Sequence, residues 1–86
     1  MWKVEISGEA LKDAKKVKVS PHLEKVKALL ALLAENPFQN PPPYEKLEPA
    51  AADSYSRRIN KQHRLTYTVY KNLKMVKVNR MWTHYE

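Results

Sequence analysis

Trp2, Val4 and Ile6 alternate with Lys3 and Glu5 at the start of the chain, the period of a half-buried strand. Gly8 then permits a turn, and the period lengthens: Leu11, Ala14 and Val17 fall on one face of a helix through "EALKDAKKVKV", leaving Lys12, Lys15 and Lys16 on a solvated face. Ser20 before Pro21 marks a second helix start, and Leu23, Val26, Leu30 and Leu33 recur at helical spacing. Those leucines read as core, because no sustained heptad accompanies them. Asn36, able to cap in the left-handed region, and Pro37, unable to continue the ladder, end this helix.

"NPFQNPPPYEKLEPAAAD" has no sustained period and reads as a semi-extended surface loop, of a length that is often functional. Three strand-like runs follow, "SYSRRI", "HRLTYTVY" and "LKMVKVNRMW", with turn chemistry at "NKQ" and "KN". The pattern predicts one strand, two helices, a loop and an antiparallel three-stranded meander, in a single domain spanning 1–86.

Strand alternation assigns directions to the side chains. Leu65, Tyr67 and Val69 face the core, and Arg64, Thr66 and Thr68 face away; Tyr55, Arg57 and Ile59 share one side, Ser56 and Arg58 the other. A hairpin centred on Lys61 sets Arg58 directly opposite Arg64, away from the helices. Two facing guanidiniums repel unless an anion bridges them, which makes a phosphate clamp. The plainer alternative is that Glu45, Glu48 or Asp53 pairs with them in surface ion pairs of little energy.

Charge sharpens this picture. Sixteen Lys and Arg against nine Asp and Glu give a formal net charge of +7, which favours a polyanionic partner, nucleic acid first, because each neutralised phosphate releases counterions. A basic balance kept only for solubility is the other reading. Without cysteine there are no disulfides, thiolate zinc sites or cysteine nucleophiles, and no His or carboxylate spacing resembles a zinc or calcium site. No apolar run has signal-peptide or membrane-spanning length, so a soluble, cytoplasmic protein is expected, with no membrane partner.

The stretches "NPFQNPPPYEKL", "YSRRINKQHRLTYTVY" and the terminal "MWTHYE" resemble the Txe/YoeB family, toxins of bacterial type II toxin–antitoxin modules with the RelE-like fold. The resemblance runs along essentially the whole chain, including "WKVEI" and "ALKD". It implies an α+β fold of order β-α-α-β-β-β, a twisted antiparallel sheet packed against two helices. It further implies a ribosome-dependent mRNA endoribonuclease that needs no metal or other cofactor and is silenced by a cognate YefM/Axe-like antitoxin. Operator DNA would be reached only through the antitoxin complex, and a homodimer stays open because relatives include dimers.

On the same resemblance, Glu45 in "YEKL" matches the family's proposed general base and Arg64 in "HRL" the arginine that stabilises the reacting phosphate. Arg58 matches another active-site arginine, and Arg57 and Lys46 join it as phosphate- or RNA-binding groups. His84 matches the general acid and Tyr85 a residue that orients substrate or moves a proton. Cleavage without metal requires a base for the 2′-hydroxyl, charge stabilisation at phosphorus and a proton for the leaving 5′-oxygen, and these residues supply all three. Tyr44, Tyr85 and Trp82 are candidates for stacking on bases, with core packing an equal alternative for Trp82. His63 is expected to pack at the turn and His22 to sit exposed in a first helical turn.

One segment departs from the family pattern. Related sequences read something like "LVGDLKGLYSRRIN", whereas this chain has "LEPAAADSYSRRIN", with Pro49 and Asp53 in place of two glycines. Proline cannot take positive φ, so the loop behind Glu45 follows another path. A non-catalytic basic RNA- or ribosome-binding module of the same fold is the alternative function.

Overall fold

The structure, a computed structural model, describes residues 1–47 and 53–84; of Thr83 and His84 the backbone alone is described. Glu48, Pro49 and the rest of 48–52, with Tyr85, therefore lie outside the described residues.

Strand β1 (Lys3–Ile6) leads into α1 (Gly8–Lys18) and α2 (Leu23–Glu35), followed by β2 (Glu45–Lys46), β3 (Ser54–Arg58), β4 (His63–Tyr70) and β5 (Met75–His84), with a 3-10 turn at Lys71–Leu73 before β5. The strands form one sheet in the order β1-β5-β4-β3-β2. The expected meander is present as β3, β4 and β5, all antiparallel.

Two features differ from the expected order. Glu45–Lys46 adds a strand antiparallel to β3, so the order is β-α-α-β-β-β-β. Two residues carry no periodicity, and only the partner strand makes them a strand. The sheet is also mixed, because β1 pairs in parallel with β5, Val4 beside Val76 and Ile6 beside Val78. The parallel pair needs a crossover, and the helices, packed on one face of the sheet, provide it.

Helix α1 starts one residue earlier than its pattern suggested. Ser7, in extended conformation, caps it by accepting the Ala10 N–H, and Gly8 is its first residue rather than a turn. At α2, His22 takes the cap position without a side-chain bond, while Ser20 Oγ accepts the His22 N–H one step earlier. Asn36 ends α2 in extended rather than left-handed conformation, its Oδ1 accepting the Phe38 N–H and turning the chain into the proline-rich loop.

The core joins Ala10 and Val17 of α1, Val26, Leu29 and Leu33 of α2, and Tyr55, Ile59, Leu65, Tyr67, Val69, Val76, Val78 and Met81 of the sheet. The alternation in β3 and β4 is therefore realised as read. Asp13 is the charged exception on α1. Its carboxylate accepts from Arg80 Nε at 2.8 Å and Nη2 at 3.1 Å, and from the Met81 N–H at 3.1 Å, tying α1 to β5. Burial alone raises the Asp13 carboxyl; the Arg80 hydrogen bonds and charge and the backbone N–H groups of Met81 and Trp82 outweigh it, leaving the group below its ordinary value.

Candidate active site

Arg58 and Arg64 are direct partners in the β3–β4 ladder, and Glu45 of β2 is the direct partner of Ser56. Ser56 and Arg58 lie two apart on β3, so all four side chains fall on the sheet face away from the helices. They line, with Pro43 and Tyr44, an open cleft of about 300 Å³. Arg64 Nη1 stands 3.8 Å from Glu45 Oε2, a distance of charge attraction rather than a close hydrogen bond. The Arg64 side chain is 9% exposed and that of Glu45 61% exposed. The Arg64 guanidinium is thus held in the wall of the cleft, and the carboxylate meets solvent.

Two guanidiniums facing one another at an open cleft have the chemistry to hold an anion. Like charges directly across a ladder cost on the order of 1 kcal/mol. A bridging phosphate replaces that repulsion with charge-assisted hydrogen bonds worth about 1.5–3 kcal/mol each, so anion binding outweighs the cost of assembling the pair.

Glu45 reaches the arginines through packing on the other side of the loop. Phe38, Tyr44 and Tyr55 make edge-to-face contacts, with centroids 5.5 Å apart for Phe38–Tyr55 and for Tyr44–Tyr55. Tyr55 in turn lies 5.8 Å from Tyr67. The Leu47 N–H donates to the Ser54 carbonyl and continues the β2–β3 pairing past Lys46. The family's glycines are thus not required for Glu45 to meet Arg64.

Arg57 is not in the cleft. It is 1% exposed on the helix-facing side of β3, where alternation placed it with Tyr55 and Ile59, and its donors are taken by Tyr67 Oη and by the carbonyls of Pro37, Gln39 and Pro42. A phosphate cannot reach it, which corrects its assignment among the phosphate-binding residues. Burial pushes the Tyr67 phenol above its ordinary value, with the Arg57 charge and hydrogen bond acting in the opposite sense. Lys46 is exposed on β2 opposite Tyr55, and so on the other side of the sheet from Glu45; it does not line the cleft.

Strand β5 carries His84 to the end of the sheet, with its backbone paired to His63 and that of Thr83 to Arg64. The backbone of Thr83, rather than that of His84, therefore runs directly beside Arg64. Trp82 is stacked on His63, centroids 3.9 Å apart and planes 13° apart, with His22 6.0 Å away. This half-buried stack lies by the α1–α2 connection, apart from the Glu45 cleft, so Trp82 is a packing residue here, and His22 is half-buried rather than exposed. Ser56 went uncounted in the sequence, although alternation already set it beside Arg58. Among the described residues no cluster of three His, Asp or Glu is placed to hold a metal ion, and no helix is long and apolar enough to cross a membrane.

A five-stranded sheet backed by two helices is the architecture of a class of small bacterial toxins. A toxin from Agrobacterium tumefaciens described as YoeB/ParE superposes with a TM-score of 0.83 at 25% identity, over 96% of this chain and 99% of that one. Within the class, the profile of the family described as YoeB-like toxin of bacterial type II toxin-antitoxin system matches residues 10–85, and the chain belongs to that family. The YoeB of Staphylococcus aureus, solved as a dimer, is 30% identical over 98% of both chains with a TM-score of 0.75. In its heterotetrameric complex with YefM it is 30% identical over 99% of both chains, with a TM-score of 0.78. No curated protein matches the chain.

Proposed function

We propose that this toxin is an mRNA endoribonuclease that acts on message held in the ribosome, without a metal ion. The observation that carries the reading is the meeting of Glu45, Arg58 and Arg64 in one open cleft. Glu45 accepts the 2′-hydroxyl proton as that oxygen bonds to the adjacent phosphorus, and Arg58 and Arg64 stabilise the charge gathering on the phosphate oxygens. The phosphorus–5′-oxygen bond breaks, and His84 donates a proton to the departing oxygen. The products are a 2′,3′-cyclic phosphate and a 5′-hydroxyl. Tyr85 orients the substrate or assists proton transfer. The ribosome holds the message in line, a task for which a chain of 86 residues offers few groups of its own.

A separate antitoxin chain keeps the toxin inactive. The support is family membership together with the S. aureus relative, which is solved in complex with YefM. That relative is also described as a dimer, which supports self-association of this chain.

The test is translation of a defined message on purified ribosomes, with 5′ ends mapped for wild type, Glu45→Ala and His84→Ala. Cleavage by wild type and a loss of about 10²–10⁴-fold in each variant is expected. Intact message with wild type, or efficient cutting of free RNA, defeats the proposal.

A further inference from the structure

Arg57 heads the fully buried side chains by volume, and no carboxylate pairs with it among the described residues. Its charge meets main-chain dipoles instead: Nη1 donates to the Pro42 carbonyl, and Nη2 to the carbonyls of Pro37 at 3.0 Å and Gln39 at 2.8 Å. Nε donates to Tyr67 Oη at 3.2 Å, and that hydroxyl donates to the same Pro37 carbonyl at 3.0 Å. The Tyr44 ring lies 4.9 Å from the guanidinium carbon. Burying an unpaired charge costs several kcal/mol, so every one of these fixed acceptors matters to its retention.

The acceptors share a location. All three carbonyls belong to 37–43, the segment that runs directly into Tyr44 and Glu45, while Arg57 itself is the neighbour of Ser56, the ladder partner of Glu45. One rigid fork therefore gathers three points of the loop and the ring of the residue before Glu45 onto β3. We infer that Arg57 is a positioning residue for Glu45: it sets the path of 37–44, and through it the separation of the Glu45 carboxylate from Arg64. The inference rests on the proposed role of Glu45 and adds to it the group that places the carboxylate. Arg57 touches no substrate, since the cleft is on the opposite face.

Lysine keeps the charge but replaces a planar fork with a single ammonium, which cannot span three carbonyls. Single-turnover cleavage of ribosome-bound message is measured for wild type, Arg57→Lys, Glu45→Ala and the double variant. Arg57→Lys should lower the maximal rate constant by about 10- to 100-fold, the scale of a misplaced catalytic group. The toxin concentration giving half-maximal rate should change less than about twofold. In the Glu45→Ala background the same change should cost less than about twofold, because there is no carboxylate left to position. Equal losses in the two backgrounds, or no loss in either, overturn the inference while leaving the proposed function intact. A Glu45→Ala toxin with the wild-type rate removes both.

Should Arg57→Lys fail to fold, Tyr67→Phe serves in its place. It deletes one acceptor of Arg57 and the donor to Pro37 while keeping the ring. A loss of about threefold confined to the Glu45-containing background is expected, and a loss shared by both backgrounds overturns the inference.

Discussion

Arg58 and Arg64 face each other across the β3–β4 ladder, and yet Arg58 is exposed while Arg64 is buried. The pair is therefore asymmetric. Arg64 is a fixed part of the wall, held beside Glu45, and Arg58 is a solvated arm that can close on a ligand.

That asymmetry predicts how anions act on the fold. Inorganic phosphate or sulfate should raise the unfolding temperature of the wild type, the stabilisation approaching about 2.7 kcal/mol at a hundred times the dissociation constant. Arg58→Ala should abolish the increment while altering stability without anion by no more than about 0.5 kcal/mol, as for an exposed side chain relieved of repulsion. Calorimetry with and without phosphate measures both. An undiminished phosphate effect in Arg58→Ala would locate anion binding elsewhere.

Arg64→Lys should reduce cleavage of ribosome-bound message by at least about tenfold, because an ammonium cannot present parallel donors to a phosphate. Arg64→Ala should lose more, on the order of 10²–10³-fold, as for removal of a donor to a developing oxyanion. A rate for Arg64→Lys within twofold of wild type would make Arg64 a packing residue.

Asp13 gives the fold an acid limb. Its carboxyl lies below the ordinary value in the folded chain, so its stabilising contribution is complete at neutral pH. It is lost once pH falls below the usual carboxylate range and through the lowered folded value. Urea unfolding at pH 7, 4 and 3 should show this decline. Asp13→Ala should cost about 2 kcal/mol at pH 7, since it leaves the buried Met81 N–H without its acceptor, and should flatten the acid limb. An unchanged pH profile in the variant would assign acid sensitivity to other carboxylates.

Ser7 joins two elements, accepting the Ala10 N–H as the α1 cap and donating to the Asn79 carbonyl at 2.9 Å. Ser7→Ala should lower stability by about 1–2 kcal/mol, the upper part of the range for a lost cap. Ser7→Asp should recover part of that loss, because it restores the acceptor but cannot donate to Asn79. A fully stable alanine variant would show that water replaces both bonds at no cost.

The arginine wall of the cleft is legible in the sequence, because a hairpin with a short polar turn leaves little freedom in its register. Centring it on Lys61 set Arg58 opposite Arg64, and alternation alone gave the face. Arg57 was legible in the same way, yet its charge drew it into the phosphate-binding set. Its actual partners are main-chain carbonyls of a proline-rich loop, and carbonyls leave no mark in a sequence. Strand β2 was hidden for a related reason, since two residues have no period and Glu45 joins the sheet only because Ser56 receives it. Register shifts in β4–β5 between Arg64 and Tyr67 set His84 rather than Trp82 opposite His63, leaving Trp82 to stack on His63 from the diagonal position, and alternation does not foresee such shifts. Asp13–Arg80 spans 67 positions of sequence and became apparent only when α1 was docked on β5.

Strand β5 lies between β1 and β4, joined to one in parallel and to the other antiparallel. A growing chain that has not yet released residues 75–84 thus has its first strand and its arginine hairpin but nothing to bridge them, and such distant pairing is the slow part of folding. Limited proteolysis of chains stalled before Met75 should find them open. The joining of β1 to the arginine hairpin thus waits on β5, so no part of the sheet on either side can be completed until that strand is in place.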